Sequence, residues 1–500
     1  MTCKLSDLLF LALLFAGRLS AQSADPFASY KDADYKVAIP VLKAAIAAEP
    51  KNALLQAALL SSLTYEGRVD EASDEADADE TAFPQSADVL AARGDFAYYM
   101  ADMSAAEKLF KAALKLKEDH ARAWFGLARL FRAASYFRTG RLYCLKAHSL
   151  DPGDALITKS WLNYTPAEKR AGLLKEFAQA HPWLYKNFEM YEDAGEKLEA
   201  AVNRREEFQL EGGRTETDLH LVELRYSPQV VRGLGLEMSI NGGRKLKLLL
   251  DTGASGILLS QTLIDKSGLD HLGTIEGRGL GDDGAKKGFL SVADTCEIGG
   301  LKCKTCVFRA LEGKRAISGE FDGLIGTDTF GQYLIQIDFQ KHAMNLKPLP
   351  ERPTLPQGYD REIPSEEKTF TPVFRQGHHL LVTTHLNGED AGLFLLDTGS
   401  GITMVDSTFA GLSGKIHQDN YMRVKGISGD VKKVFETSKA EIQFATFRQR
   451  NLRMTAIDLN NSPDHQDVRM SGILGLPVLA MFRLTLDYRN GLVKFDPVFK

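Results

Sequence analysis

The spacing of hydrophobic and polar residues divides the chain at about residue 210. Before that point, apolar residues recur three or four positions apart, as they do in amphipathic helices. After the break at Glu211-Gly212-Gly213, short apolar segments alternate with glycine-rich turns, which is typical of strands. We therefore predict a multidomain protein, with an all-α helical solenoid over residues 25–210 and an all-β region of two lobes, 217–347 and 373–500.

The helical half repeats with a period of 34 residues. Small residues and prolines recur in step with this period: Ala38, Ala72 and Ala106, and Pro50, Pro84 and Pro152. Small residues let paired helices approach closely, and the prolines end the second helix of each pair. Over residues 25–155 the pattern resembles the tetratricopeptide repeat. The resemblance implies either a groove that binds a peptide or partner protein, or a rigid support for the rest of the chain.

The second half contains an internal duplication. Residues 248–255 read Leu-Leu-Leu-Asp-Thr-Gly-Ala-Ser, and residues 394–401 read Phe-Leu-Leu-Asp-Thr-Gly-Ser-Gly. An Asn-Gly pair, which is a strong hairpin signal, lies ten residues before each aspartate, at Asn241-Gly242 and Asn387-Gly388. Each copy therefore places a carboxylate, a hydroxyl and a glycine directly after an apolar strand.

Further landmarks follow in the same order in both copies. They are the glycine-rich turns at 279 and 426, the segments Leu324-Ile325-Gly326 and Ile473-Leu474-Gly475, and the aspartates Asp338 and Asp487. Six prolines between the copies indicate an extended linker over residues 348–372. A tandem β domain in which Asp-Thr-Gly only forms a turn is the alternative. It does not explain why an apolar strand ends in a carboxylate twice.

With these motifs, the chain resembles the aspartic peptidases, and in particular their retropepsin-like branch, over about residues 217–347 and 373–497. The resemblance implies a two-lobed acid-protease fold, in which the two lobes correspond to the two subunits of a viral homodimer. The first Asp-Thr-Gly-Ala is similar to the retropepsin motif, whereas the second Asp-Thr-Gly-Ser is closer to the pepsin pattern.

The resemblance also implies the residues that perform the chemistry. Asp251 and Asp397 would be the catalytic carboxylates. Thr252 and Thr398 would form hydrogen bonds across the lobe interface beneath them and hold the two loops together. The two carboxylates would share one proton and activate a water molecule that attacks a peptide bond. The predicted activity is therefore that of an aspartic endopeptidase acting on polypeptides.

Other residues of the two motifs would support this pair. Gly253 and Gly399 would permit close backbone approach and offer amide donors to the carboxylates. Ser400 could bond the outer oxygen of Asp397, whereas Ala254 has no hydroxyl for its own aspartate. We therefore expect the two carboxylates to differ in acidity.

Two glycine-rich turns would be flap tips over the substrate cleft. Their residues are Gly279, Leu280 and Gly281 in the first copy and Gly426, Ile427 and Ser428 in the second. The alternative is that both are ordinary hairpin turns. The segments that end at Gly326 and Gly475 would brace the active loops from behind.

A non-catalytic protein is the competing hypothesis. In this alternative the lobes bind peptides without cutting them, and the helical stack recruits a partner protein. The first copy has Ala254 where the second copy has Ser400, and this difference favours the non-catalytic hypothesis. The two intact Asp-Thr-Gly motifs argue against it.

Net charge and the positions of the histidines argue against a nucleic-acid-binding protein and against a zinc protease. The net charge of −5 gives no electrostatic reason to expect a nucleic acid partner. The eleven histidines form no zinc-protease motif, and we expect neither a metal nor another cofactor. His378, His379 and His385 precede the second aspartate, and we interpret them as part of a solvated strand face.

The first 24 residues have the pattern of a signal peptide. Lys4 precedes an apolar run from Leu8 to Ala16, and small residues follow it. We expect export to the periplasm or the medium, with an uncleaved membrane anchor as the alternative. No later segment is long and apolar enough to cross a membrane.

The cysteines leave several interpretations open. Cys296 and Cys303 flank Gly299-Gly300, so they could face each other across a hairpin. Cys303 and Cys306 have the spacing of metal ligands, but no second pair lies nearby. We favour small core residues over a disulfide or a metal site.

Overall fold

The computed structural model describes residues 25–203, 205–313, 321–350, 358–388, 390–460 and 467–498. A helical region comes first and a β-rich region follows it, so the predicted fold class is confirmed. None of the helices in the described ranges has the length and apolar character needed to cross a membrane. The predicted signal peptide, residues 1–24, lies outside the described residues.

The described part of the first half folds into consecutive helices. They are α1 (Ala28–Lys31), α2 (Tyr35–Ala48), α3 (Ala53–Tyr65), α4 (Val69–Ala82), α5 (Ala87–Tyr99), α6 (Met103–Leu116), α7 (Ala121–Ala133), α8 (Phe137–Leu150), α9 (Ala155–Leu162), α10 (Ala167–Ala180) and α11 (Phe188–Val202).

The 34-residue period also sets where these helices begin and turn. The side chains that cap the first helix of successive pairs are Asn52, Ser86, His120 and Asp154. The turns within successive pairs each contain a residue with left-handed φ, at Ala33, Gly67, Ala101 and Ser135. Each cap accepts a hydrogen bond from an N–H group that would otherwise lack a partner. Capping and turn geometry therefore repeat together with the small residues in the core.

The first lobe is built from short strands and one helix. They are β1 (Gln209–Leu210), β2 (Thr217–His220), β3 (Val222–Ser227), β4 (Val230–Ile240), β5 (Leu246–Asp251), β6 (Ile257–Ser260), α12 (Gln261–Lys266), β7 (Leu272–Gly277), β8 (Lys286–Ile298), β9 (Leu301–Leu311), β10 (Gly323–Gly326), β11 (Tyr333–Asp338) and β12 (Ala343–Pro348).

The second lobe repeats this scheme. Its elements are β13 (Thr371–Pro372), β14 (Phe374–Gln376), β15 (His379–Leu386), β16 (Asp390–Asp397), β17 (Met404–Asp406), α13 (Ser407–Ser413), β18 (Ile416–Gln418), β19 (Lys425–Gly426), β20 (Gly429–Asp430), β21 (Val434–Phe444), β22 (Phe447–Ile457), β23 (Gly472–Gly475), α14 (Leu476–Leu479), β24 (Phe482–Asp487) and β25 (Leu492–Pro497).

A six-stranded sheet joins the two lobes. Its order is β13-β25-β24-β11-β12-β2, and β11 of the first lobe pairs antiparallel with β24 of the second. Ile335 lies opposite Leu486 and Ile337 lies opposite Leu484, and all four side chains are fully buried. The two lobes therefore share one hydrophobic core beneath the sheet, which fixes their relative position.

The same strand arrangement carries both aspartates. β5 runs parallel to β10, with Asp251 opposite Gly326, and β16 runs parallel to β23, with Asp397 opposite Gly475. The Asn-Gly pairs form the turns before β5 and β16, and all four of their residues have left-handed φ. Two equivalent frameworks therefore present their aspartates at equivalent strand ends.

The cysteine hairpin differs from our expectation. Cys296 pairs in register with Cys303, but the disulfide joins Cys296 to Cys306, whose Cα atoms are 6.1 Å apart. Cys303 remains a buried thiol. The interpretation as small core residues is therefore wrong for Cys296 and Cys306. Thr305 has a left-handed φ of 55°, which breaks the side-chain alternation and returns Cys306 to the buried face.

Candidate active site

The two aspartates of the duplicated motif lie against each other. The Asp251 and Asp397 carboxyl groups are within hydrogen-bond reach of each other, and two adjacent buried carboxyl groups share one proton. Both line the floor of a cleft between the lobes. The structure thus brings together two residues that are 146 positions apart in the chain.

Beneath the aspartates, the two threonines form a reciprocal set of hydrogen bonds. The Thr252 hydroxyl donates to the Leu396 carbonyl at 2.6 Å and accepts from the Thr398 N–H at 3.0 Å. The Thr398 hydroxyl donates to the Leu250 carbonyl at 2.8 Å and accepts from the Thr252 N–H at 3.1 Å. Both threonines are fully buried. Each loop is therefore anchored to the strand of the opposite lobe.

The glycines of the two motifs leave room for the opposite carboxylate. A Cβ atom at Gly399 would lie 2.3 Å from Cγ of Asp251, and one at Gly253 would lie 2.9 Å from Cγ of Asp397. Any side chain at these positions would push the carboxylates apart. The Gly253 N–H also donates to Oδ1 of Asp251 at 2.8 Å.

Ser400 contacts its aspartate differently from our expectation. Its N–H donates to Oδ1 of Asp397 at 2.9 Å, but its hydroxyl donates to the Ile402 carbonyl at 2.8 Å. The expected hydroxyl bond to Asp397 is therefore wrong. The tight turn after Ser400 brings the Ile402 carbonyl within reach of the hydroxyl, which satisfies it locally.

An arginine that the sequence analysis missed differentiates the two carboxylates. Arg232, at the start of β4 in the first lobe, donates to the Gly399 carbonyl in the active loop of the second lobe. Burial raises the pKa of Asp251, and the positive charge of Arg232 partly opposes that rise. Because Arg232 stands alone before the apolar part of β4, its sequence context gives no sign of this role.

The pKa values of the pair are raised unequally. Burial, together with the charge of Asp251, raises the pKa of Asp397 well above its usual range. Burial also raises the pKa of Asp251, but the Gly253 N–H and the Arg232 guanidinium oppose it. Because both pKa values are raised and the two groups interact, the pair holds one shared proton.

The two turns that the sequence predicts to be flap tips are hydrogen-bonded to each other. The Asp283 N–H donates to the Ser428 carbonyl at 2.8 Å, and the Ser428 N–H donates to the Leu280 carbonyl at 3.0 Å. The Gly279 N–H donates to the Ser428 hydroxyl at 3.2 Å. The two turns therefore contact each other, and both line the same cavity as the aspartates.

Two adjacent histidines lie beside the first active loop. The Nε2 atoms of His378 and His379 are each 3.2 Å from the carbonyl oxygen of Gly253. Burial lowers the pKa of both, and the charge of His378 helps to lower the pKa of His379 to about 4. The predicted solvated face is therefore wrong for these two residues. Strand alternation could not reveal that this end of β15 packs against the opposite lobe.

Replacing His379 should change how stability depends on pH. Between pH 6.5 and 4 the unfolded chain binds a proton at this imidazole and the folded chain does not. The free energy of unfolding should therefore decrease as the pH is lowered through this window. His379 should contribute at most about 3 kcal/mol to this decrease. His379→Gln should show a smaller fall than the wild-type protein in denaturant titrations at pH 7 and pH 4.

The matched control for this prediction is His417→Gln on the exposed surface of the second lobe. It should keep the wild-type dependence on pH. If His379→Gln and wild type lost equal stability on acidification, the imidazole would not be titrating in this way.

This combination of a two-lobed β fold, duplicated strand ends and paired aspartates resembles the arrangement expected of an aspartic peptidase. Residues 236–329 match the family model described as aspartyl protease, which confirms the resemblance predicted from the sequence. A comparison with curated proteins yields no match.

Three solved structures each resemble part of the chain. A retropepsin-like aspartic protease from Rickettsia conorii is 20% identical over 27% of this chain and 96% of its own, with a TM-score of 0.20. Basic 7S globulin from soybean is 10% identical over 57% of this chain and 97% of its own, with a TM-score of 0.31. The MamA protein is 20% identical over 29% of this chain and 78% of its own, with a TM-score of 0.20.

Proposed function

We propose that this protein is an aspartic endopeptidase that hydrolyses peptide bonds in polypeptides. The observation that carries the proposal is the hydrogen-bonded pair of Asp251 and Asp397 on the floor of an interlobe cleft. Paired carboxylates of unequal acidity provide a general base and a general acid side by side.

In the proposed reaction we assign the ionised state to Asp251, which the Arg232 charge favours, and the protonated state to Asp397. A water molecule held between the carboxyl groups loses a proton to the ionised Asp251 as it attacks the peptide carbonyl carbon. The protonated Asp397 donates its proton to the carbonyl oxygen, which gives a neutral tetrahedral intermediate. Collapse of this intermediate breaks the C–N bond as Asp251 gives the proton it took from water to the amine nitrogen, and Asp397 takes a proton from a hydroxyl of the intermediate, which restores the starting states of the pair. No covalent enzyme intermediate forms, and no cofactor takes part.

The flap turns would control access to this site. Gly279, Leu280 and Gly281 and Gly426, Ile427 and Ser428 would separate to admit a substrate and close over it, which excludes bulk water. The signal peptide would place this activity outside the cytoplasm.

Cleavage and inhibition test the proposal directly. An unfolded polypeptide without disulfides should be cut at internal bonds by the purified full chain. A peptide that carries a hydroxyl-bearing tetrahedral carbon in place of the scissile carbonyl should inhibit, since its hydroxyl occupies the position of the attacking water. It should bind at least about 100-fold more tightly than the same peptide without the hydroxyl. Equal inhibition by both peptides would contradict the mechanism.

A further inference from the structure

The aspartates open onto a cavity that the helical region helps to form. The cavity has a volume of about 1870 Å³, and both lobes and the helices line it. The helical contributions include Phe125 and Arg132 of α7, Lys159 of α9 and Tyr191 of α11. The cleft is therefore not bounded by the lobes alone.

On one side, the helices are fixed to the second lobe. Leu127 of α7 and Met103 of α6 belong to the same buried cluster as Leu395 of β16 and Ile473 of β23. The Arg469 N–H donates to the Tyr99 carbonyl at 2.7 Å. Burial of this apolar surface makes the stack part of the structure that supports the second aspartate.

On the other side, the helices contact the first lobe. At Gly273, in β7, a Cβ atom would lie 2.4 Å from Cα of Ala194 in α11, so helix and strand are in direct contact. Gly273 has a left-handed φ of 64° and no side chain, which permits this close approach. The helical region thus bridges both lobes and forms a wall of the cavity between its two attachments.

The charge of this cavity is opposite to that of the chain. Among the described residues, nine Lys or Arg side chains and six Asp or Glu side chains line it, and two of the acids are the catalytic pair. The whole chain carries a net charge of −5. A partly enclosed cleft with an excess of one sign concentrates ligands of the other sign.

Two cations on the helical wall are suited to meet such a ligand. The Lys159 ammonium donates to the Leu184 carbonyl at 3.1 Å and lies 5.0 Å from the Tyr185 ring centroid. An ammonium carries three donors, so further donors can reach a bound carboxylate. Arg132 is exposed at the C-terminal end of α7 and lines the same cavity.

We propose that the helical stack forms a substrate-binding wall of the proteolytic cleft, and that Arg132 and Lys159 select extended polypeptides carrying acidic side chains. This inference rests on the proposed function, because it concerns substrates of the same aspartate pair. In this assignment the repeats recognise the polypeptide that the lobes cut, and the charge of the wall determines which segments enter.

Binding of uncleavable peptides tests this assignment separately from catalysis. Two fluorescent peptides of equal length would carry a reduced amide at the scissile position, with either glutamates or glutamines flanking it. Fluorescence anisotropy at pH 7 with the full chain should show about tenfold tighter binding of the glutamate peptide at low salt. The difference should shrink at about 0.5 M salt, because exposed charges are then screened.

Variants locate the effect on the helical wall. R132Q/K159M should weaken binding of the glutamate peptide about fivefold or more and bring the two dissociation constants close together. K115M, which removes an exposed cation of α6 that does not line the cavity, should keep the wild-type ratio. If the double variant does not fold, R132Q and K159Q are measured singly.

The outcomes separate this assignment from the proposed function. Equal binding of both peptides by the wild-type protein, or an unchanged ratio in the double variant, would overturn the acidic selection. The same two peptides with an ordinary amide at the scissile position serve as substrates. If the protein bound the glutamate peptide more tightly but cleaved neither substrate, the substrate-binding wall would be supported and the peptidase activity would be contradicted. If both substrates were cleaved at equal rates, and Asp397→Asn abolished this cleavage, only the acidic selection by the helical wall would be contradicted.

Discussion

Replacing Asp397 by Asn should lower kcat for peptide hydrolysis by about 10³- to 10⁴-fold, because the amide cannot supply the proton that the carbonyl oxygen receives. Asp251→Asn should cause a loss of the same order, since the base that takes a proton from water is then absent. The two side chains have nearly the same shape as the originals, so the fold should remain intact. Initial rates on an internally quenched peptide measure the loss, and thermal unfolding checks the fold.

The matched control is Asp294→Asn, which changes an exposed aspartate on β8 of the first lobe. This variant should cut the peptide at the wild-type rate. If Asp251→Asn or Asp397→Asn retained more than about a tenth of the wild-type activity, the pair would not be acting as acid and base.

Removing the hydroxyl of Thr398 should cost about 2–4 kcal/mol of unfolding free energy. In Thr398→Val the Thr252 N–H and the Leu250 carbonyl both lose their partner in a fully buried site. An unsatisfied buried polar group costs about 1–3 kcal/mol, while valine fills the same volume as threonine. Denaturant titration of the variant and the wild-type protein measures the difference.

Thr398→Ser is the matched variant, because it keeps the hydroxyl and loses only a methyl group. It should lose about 1 kcal/mol and retain most of the activity. The valine variant should also hydrolyse peptides more slowly when fully folded, since its active loop is no longer anchored to β5. A valine variant as stable as the serine variant would show that these hydrogen bonds do not hold the lobes together.

Local patterns predicted a large share of the fold. The 34-residue period marked the helical pairs, and the Asn-Gly pairs marked the hairpins before β5 and β16. The aspartates were identifiable because the duplication repeats the local chemistry of the site within one chain. Each of these features is encoded by residues that lie close together in the chain, so the order of the residues is enough to recognise it.

The features that the sequence did not reveal depend on contacts between distant segments. Arg232 reaches the active loop of the opposite lobe, and His378 and His379 contact the Gly253 carbonyl. The pairing of Cys296 with Cys306 depends on a single backbone angle at Thr305. Neither spacing nor side-chain alternation encodes which loops meet after folding, and these contacts require the tertiary structure.

The attachment of the helices also makes the two sides of the cleft unlike. The second lobe carries α6 and α7, whereas the first lobe carries α11. Two identical subunits related by a two-fold axis would offer the same surface on both sides of a scissile bond. In this single chain a polypeptide bound in the cleft would meet two different surfaces, so one N-to-C direction of threading would be favoured over the reverse.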